Sequence, residues 1–197
     1  MKWSEHTIAR ALVRQTFNRK YLVVVPNCNW TGHECDLLVV TENLRIIDVE
    51  IKITRADLKA DAKKDKWWHR QYVGAPRCVD QFNRHGRLIS RRHVYAQQFE
   101  LRDWPHKVWK HYYALPKEIW RPELLSVLPS QHSGVLLLDG DGYPRPAGDI
   151  MRIDCVRRAT PNRDAPAISP AAAVDIARLA SLRMWEAYGR LESKEAA

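Results

Sequence analysis

The sequence predicts a mixed α/β fold, a central sheet flanked by helices, and three observations carry that expectation. Short apolar runs bounded by Pro, Gly and Asn recur along the chain at strand length. Amphipathic stretches at both ends and after the third run have the period of helices. The order is helix, three strands, helix, then strands mixed with helices, a pattern that packs helices on a mixed sheet.

Each element has its own reason. Ser4 is placed to cap a first helix running to about Asn18, with Ile8, Leu12, Val13 and Glu5 on its inward side. "YLVVVP" (21–26) reads as a strand stopped by Pro26, "CDLLVVT" (35–41) as a second, and "LRIIDVEIKI" (44–53) as a third. A tight "EN" turn joins the last two. "TRADLKADAKKDKWWHR" (54–70) reads as one helix capped by Thr54, with Ala56, Ala60 and Trp67 on an apolar stripe. Residues 71–107 show no sustained period and read as an insertion. "KHYYALP" (110–116) and "SGVLLLD" (133–139) are strands around a short helix, "KEIWRPELLSVLP". "GDGYPRPAGD" is a turn-rich connection into a strand at 150–159. A last helix at about 169–190 would dock through Val174, Ala177, Leu182 and Trp185. One domain is expected over 1–197.

Composition narrows the function. Thirty-two Lys and Arg oppose 23 Asp and Glu among 197 residues, a formal charge of +9, which favours a polyanionic partner, nucleic acid before a membrane surface. No apolar run is long enough to span a bilayer, and "MKWSEHTIARALVRQTF" lacks the apolar core of a secretion signal. The four cysteines, Cys28, Cys35, Cys78 and Cys155, are sparse. An intracellular, cytoplasmic protein with reduced thiols is the expectation. Cys28, His33 and Cys35, or Cys78 with His85, lack the paired spacing of a structural zinc site. No phosphate-cradling "GxxxxGK[ST]" stretch occurs, and no Ser or Cys sits in a triad context.

The third strand holds the chemistry. Its alternation puts Arg45, Ile47, Val49, Ile51 and Ile53 on one face and Leu44, Ile46, Asp48, Glu50 and Lys52 on the other. The polar half of the second face would open on a cleft, with Asp48 at its less buried start. Asp36 begins the neighbouring strand and can meet Glu50 across the hairpin. Two such carboxylates repel, and a divalent ion relieves that repulsion. Mg²⁺ needs only one or two protein carboxylates, and the Ile51 carbonyl could add an oxygen. Lys52 follows on the same side at roughly 6–7 Å.

"D36…E50-I-K52", after a helix bearing Glu5 and before a basic helix, resembles the PD-(D/E)XK nuclease superfamily. The motif likeness covers residues 4–70, and strand order extends it over 110–159. It is greatest to small phage and bacterial nuclease-like domains. The resemblance implies an αβββαβ, restriction-endonuclease-like core and hydrolysis of DNA phosphodiester bonds by a metal-activated water. Asp36 and Glu50 would hold Mg²⁺, with Mn²⁺ as a substitute, and Lys52 would be the catalytic lysine. Glu5 would match the first-helix acid that completes or orients the metal shell. Cys35, not proline, precedes Asp36. Arg55, Lys59, Lys63, Lys66 and Arg70 would contact phosphates, and one of Trp67 and Trp68 would be free to stack on a base. A homodimer would suit duplex cleavage, although no residue pattern specifies one. The alternative is an inactive nuclease-fold module binding nucleic acid in recombination, repair or packaging.

Overall fold

The computed structural model describes residues 3–17, 21–140 and 151–195. The chain opens with α1 (Glu5–Gln15), capped by Ser4, whose hydroxyl accepts from the Thr7 amide while the Thr7 hydroxyl accepts from the Ser4 amide. That reciprocal box satisfies two otherwise orphan donors. β1 (Tyr21–Cys28), β2 (Cys35–Thr41) and β3 (Ile46–Ile51) follow as an antiparallel meander. β6 (Lys110–Pro116) lies parallel to β3, β7 (Gly134–Asp139) parallel to β6, and β8 (Arg152–Arg157) antiparallel to β7. The sheet order is β1-β2-β3-β6-β7-β8, so β3 and β6 are central. The expected mixed α/β sheet is therefore present, and its first elements run helix, three strands, helix, strand.

Several boundaries differ from the sequence reading. Pro26 does not stop β1, because β1 is an edge strand and a missing N–H is tolerated there. The helix expected over 54–70 is short: α2 covers Arg55–Ala60, and single 3-10 turns follow at Asp61–Lys63 and Asp65–Trp67. The helix expected over 117–129 is likewise two 3-10 segments, Lys117–Ile119 and Pro122–Val127. The insertion is one long hairpin, β4 (Trp68–Phe82) with β5 (Leu88–Leu101), exposed along nearly its whole length. The connection over 141–150 lies outside the described residues.

Among the described residues, three apolar clusters hold the sheet. On one face α1 packs Ile8 and Leu12 on Leu37, Val39, Ile47, Val49 and Ile51. On the other face the apolar surface divides. Ile176 of α3 (Pro170–Glu195) covers Val25, Leu38, Val40 and Ile46, whereas Leu58 and Trp67 join Tyr113, Leu115, Val135 and Leu137. The seam between them is the even-numbered row of β3. α3 docks through Ile176, Leu179 and flanking alanines, not through the residues expected: Val174, Leu182 and Trp185 are exposed and only Ala177 is partly buried. No helix among the described residues is long and apolar enough to cross a membrane.

Gly134 pairs with Tyr112 across β6–β7, and a Cβ there would run into the Tyr112 ring and come within 2.8 Å of the Ala159 amide nitrogen. Gly134→Ala is expected to cost roughly 1–3 kcal/mol through forced displacement of that ring, read as a lower midpoint in denaturant unfolding.

Candidate active site

β3 is buried on both faces, so Asp48 and Glu50 are carboxylates inside the protein and not on an open cleft wall; both are 0% exposed. Asp48, expected at a less buried strand start, is thus corrected to a core position. A buried carboxylate is held only if cations or hydrogen bonds replace its water. The chain supplies them from the segment that was expected to be helix.

Lys66 folds inward and pairs with Glu50 at 2.6 Å through Oε1, while Lys52 pairs with Glu50 at 2.6 Å through Oε2. Lys64 bridges Glu50 (3.1 Å) and Asp61 (3.0 Å). Asp61 is buried too, and its Oδ2 accepts from Tyr113 OH at 2.5 Å and Trp67 Nε1 at 3.0 Å. These inward contacts explain why the helix stops at Ala60. Asp61, Lys66 and Trp67 must all reach the same buried row, which a continuous 100° rotation per residue would not allow. The extended Lys64 backbone breaks the run.

Asp36 closes the other end. The β2–β3 register runs from Val40–Ile46 to Leu37–Val49; one step further the Asp36 side chain takes over, its Oδ2 accepting from the Ile51 amide at 2.6 Å. Lys52 Nζ stands 3.8 Å from that oxygen, and the Asp36 side chain remains 24% exposed. Asp36, Glu50 and Lys52 thus meet, as the motif implied. Glu5 does not share the buried side of α1: it is exposed at the first turn, and reaches the site only through the repulsion its charge exerts on Asp36.

The basic stripe dissolves. Arg55, Lys59 and Lys63 are exposed, Arg55 donating to the Ile119 carbonyl at 2.7 Å. Lys66 is in the core, and Arg70 lies on β4 with its guanidinium 5.6 Å from the Phe99 ring centre. Trp67 is fully buried and Trp68 37% exposed, so one of the pair is free, as expected. All four cysteines are free thiols.

Electrostatics follow from this packing. Burial alone would push Glu50 and Asp61 up, but the neighbouring ammonium groups, Lys66 foremost, hold both below the usual carboxylate range. Lys66 is correspondingly held above its ordinary value: burial opposes its charge, and Asp48, Glu50 and Asp61 more than offset that. Asp36 moves the other way, pushed up to about 6 by burial and then by the charge of Glu50. His111 is fully buried, its Nδ1 2.9 Å from Ser133 Oγ and its Nε2 3.4 Å from Lys66 Nζ. Burial and then the Lys66 charge lower it to about 4, so the ring is neutral at neutral pH.

Sequence reasoning missed Asp61, Lys64 and His111, and it placed Lys66 on a phosphate-contacting surface stripe where the structure buries it against Glu50. The only signal was the near-cancellation of charge in "DAKKDK", equally typical of a solvated helix face. His111 stands in an apolar strand run and carries no pattern at all.

No family model matches the chain, and no curated protein matches it. The chain is similar to the solved structure of SPO1766, a protein of unknown function from Silicibacter pomeroyi, with a TM-score of 0.52 and 17% identity over 100% of this chain and 97% of that one. At that identity the likeness carries the fold alone.

Two outcomes are expected. Lys66→Met leaves buried carboxylates short of a cation and should cost roughly 3–5 kcal/mol, whereas Lys63→Met should stay within about 0.5 kcal/mol; denaturant unfolding of both variants separates core from surface. His111 binds its proton less readily folded than unfolded, so the protein should lose stability as pH falls from 6.5 towards about 4. The full effect is on the order of 3 kcal/mol. Asp36, with its raised value, acts in the opposite direction below about pH 6, so the His111 contribution is read as the difference between wild type and His111→Gln across the range.

Proposed function

We propose that the chain is a metal-dependent nuclease of the PD-(D/E)XK type acting on DNA inside the cell. The observation that carries this reading is the meeting of Asp36, Glu50 and Lys52 at one end of the β2–β3 pair, with the Lys52 ammonium 2.6 Å from Glu50 and 3.8 Å from Asp36. The αβββαβ order of the first elements and the +9 charge support it.

The donor set fits a hard divalent ion. Asp36 is pushed up to about 6 because water is scarce and, next, because a second carboxylate is near, which is the strain a cation relieves. Asp36 and Glu50 would hold Mg²⁺ or Mn²⁺, with the Ile51 carbonyl as a further oxygen. Such an ion supplies Lewis-acid stabilisation of the phosphate and a nucleophile at neutral pH. Lys52 stays beside the carboxylates and adds a fixed positive charge where negative charge builds on the phosphate. Lys66 holds Glu50 in place from beneath. Lys64, with a side chain 46% exposed, is the cation of the three that can withdraw to solvent and make room at Glu50.

The hairpin supplies a grip on the substrate in this reading. β4, β5 and the turn between them carry Arg70, Arg77, Arg84, Arg87, Arg91 and Arg92 against Asp80 and Glu100. The ribbon is about 45 Å long at strand rise, and a two-stranded ribbon fits the DNA major groove. Its root, Trp68, directly follows the Lys66–Trp67 turn of the site.

One observation favours the second reading, an inactive nucleic-acid-binding module. Glu50 is already paired with three ammonium groups, an arrangement that stabilises a carboxylate without a metal.

The test is cleavage of labelled single-stranded, duplex, flapped and four-way DNA and of RNA, with Mg²⁺, Mn²⁺ or EDTA. Metal-dependent products are expected from wild type, with a loss of at least about 100-fold in Glu50→Ala and Lys52→Ala. A variant with Arg84, Arg87, Arg91 and Arg92 changed to Ser should bind more weakly and with a shallower salt dependence. Binding without cutting under every metal condition would establish the module in place of the enzyme.

A further inference from the structure

Asp48 is a fully buried carboxylate that the lysine cluster approaches only at 3.8 Å, through Lys66. It is 0% exposed, yet among the described residues neither of its oxygens accepts a hydrogen bond of ordinary length. Lys66 stands 3.8 Å away, committed to Glu50 at 2.6 Å, and His111 Nε2 is also 3.8 Å off. A desolvated carboxylate in that condition is costly, and nothing on its own strand relieves it.

What faces it is a set of metal donors. His33 Nε2 lies 3.5 Å from Asp48 Oδ2. One donor atom each from His33, Cys35 and Asp48 falls within 4.8 Å of the other two. Donors 2.0–2.3 Å from a tetrahedral ion stand about 3.3–3.7 Å from one another. The His33–Asp48 spacing is in that range: too long for a good hydrogen bond, right for two ligands of one ion. Thr31 Oγ1 borders the group, 3.3 Å from His33 Nε2 and 3.5 Å from Cys35 Sγ.

We propose that His33, Cys35 and Asp48 form a site for a borderline transition ion, Zn²⁺ by preference, distinct from the Asp36–Glu50 pair. Imidazole and thiolate donors select such an ion over Mg²⁺, which takes oxygen. Of the three donors, His33 lines a cleft of about 270 Å³ together with Thr31, Lys66, Trp68 and Arg102, which would give the ion an entry path, while Cys35 and Asp48 lie buried behind it. Charge favours it as well. Asp36, Asp48, Glu50 and Asp61 outnumber Lys52, Lys64 and Lys66 by one. A divalent ion bound with the Cys35 thiolate adds one net positive charge and brings the cluster to neutrality. The assignment does not require the nuclease reading, because it uses none of Asp36, Glu50 and Lys52.

The probe is Co²⁺, titrated into the full chain after chelator treatment. One equivalent is expected to bind with thiolate-to-cobalt charge-transfer absorption in the near ultraviolet, displaced by Zn²⁺. Cys35→Ser should abolish the band. His33→Gln, on a partly exposed loop where the fold tolerates change, should weaken binding by about tenfold or more. Asp36→Asn should leave the band intact, which separates this site from the proposed Mg²⁺ pair whatever the cleavage assays return. The proposal is overturned if no band forms, if the band survives Cys35→Ser and so belongs to the exposed Cys78 or Cys155, or if it needs Asp36 and not His33. Should Cys35→Ser fail to fold, His33→Gln decides by the same band.

Discussion

The molecule is arranged around the need to neutralise carboxylates on a strand that is buried on both faces. β3 is central in the sheet, and its even-numbered side chains occupy the seam between two apolar clusters. Asp48 and Glu50 would be prohibitive there alone. Lys52, Lys64 and Lys66 make them tolerable, and the route of the chain from 52 to 67 is what delivers those cations. A short helix, two 3-10 turns and an extended Lys64 are a poor structure by local propensity. They are a good one for placing Asp61, Lys64, Lys66 and Trp67 over one buried row.

This constraint couples the core to the edge. Glu50 is shared between ion pairs that run inward, to Lys66, and a pair that runs outward, to Lys52 and the partly exposed Asp36. The inward side fixes position and the outward side meets solvent. A site of this kind holds its geometry because its support is packed beneath Trp67 and Tyr113, themselves tied to Asp61. The same row ends in Asp48, whose donors His33 and Cys35 come from the β1–β2 loop and the start of β2. One strand thus carries two chemically different ends, oxygen-rich near Asp36 and mixed nitrogen, sulfur and oxygen near His33.

The hairpin stands apart from this economy. Its strands bury little, and it displays Tyr72, Phe82, Ile89, Tyr95 and Phe99 among its arginines. An isolated two-stranded ribbon is marginal in water. Here cross-strand pairs brace it, Tyr72 against Tyr95 and the bidentate Asp80–Arg91 bridge. Under the proposed function, these apolar rings set among cations would meet a polyanion with aromatic faces.

The sequence by itself determined the strands of the sheet, the Ser4 cap, the αβββαβ order and the meeting of Asp36, Glu50 and Lys52. All of these follow from local signals: period-two alternation, turn residues, and a hairpin that fixes which residues face each other. Tertiary structure decided the rest. Lys66 read as one of a surface stripe because charge on a helix pattern normally means solvent, and only the placement of Glu50 in the core reverses that. Asp48 read as peripheral because the sequence does not show that β6 would flank β3 or that the Lys66–Trp67 turn would pack over its face. His33, Cys35 and Asp48 have no telling spacing, since it is strand pairing that brings them together across the hairpin. Whether a charged residue is buried is a property of what packs over it, and that partner lies far along the chain.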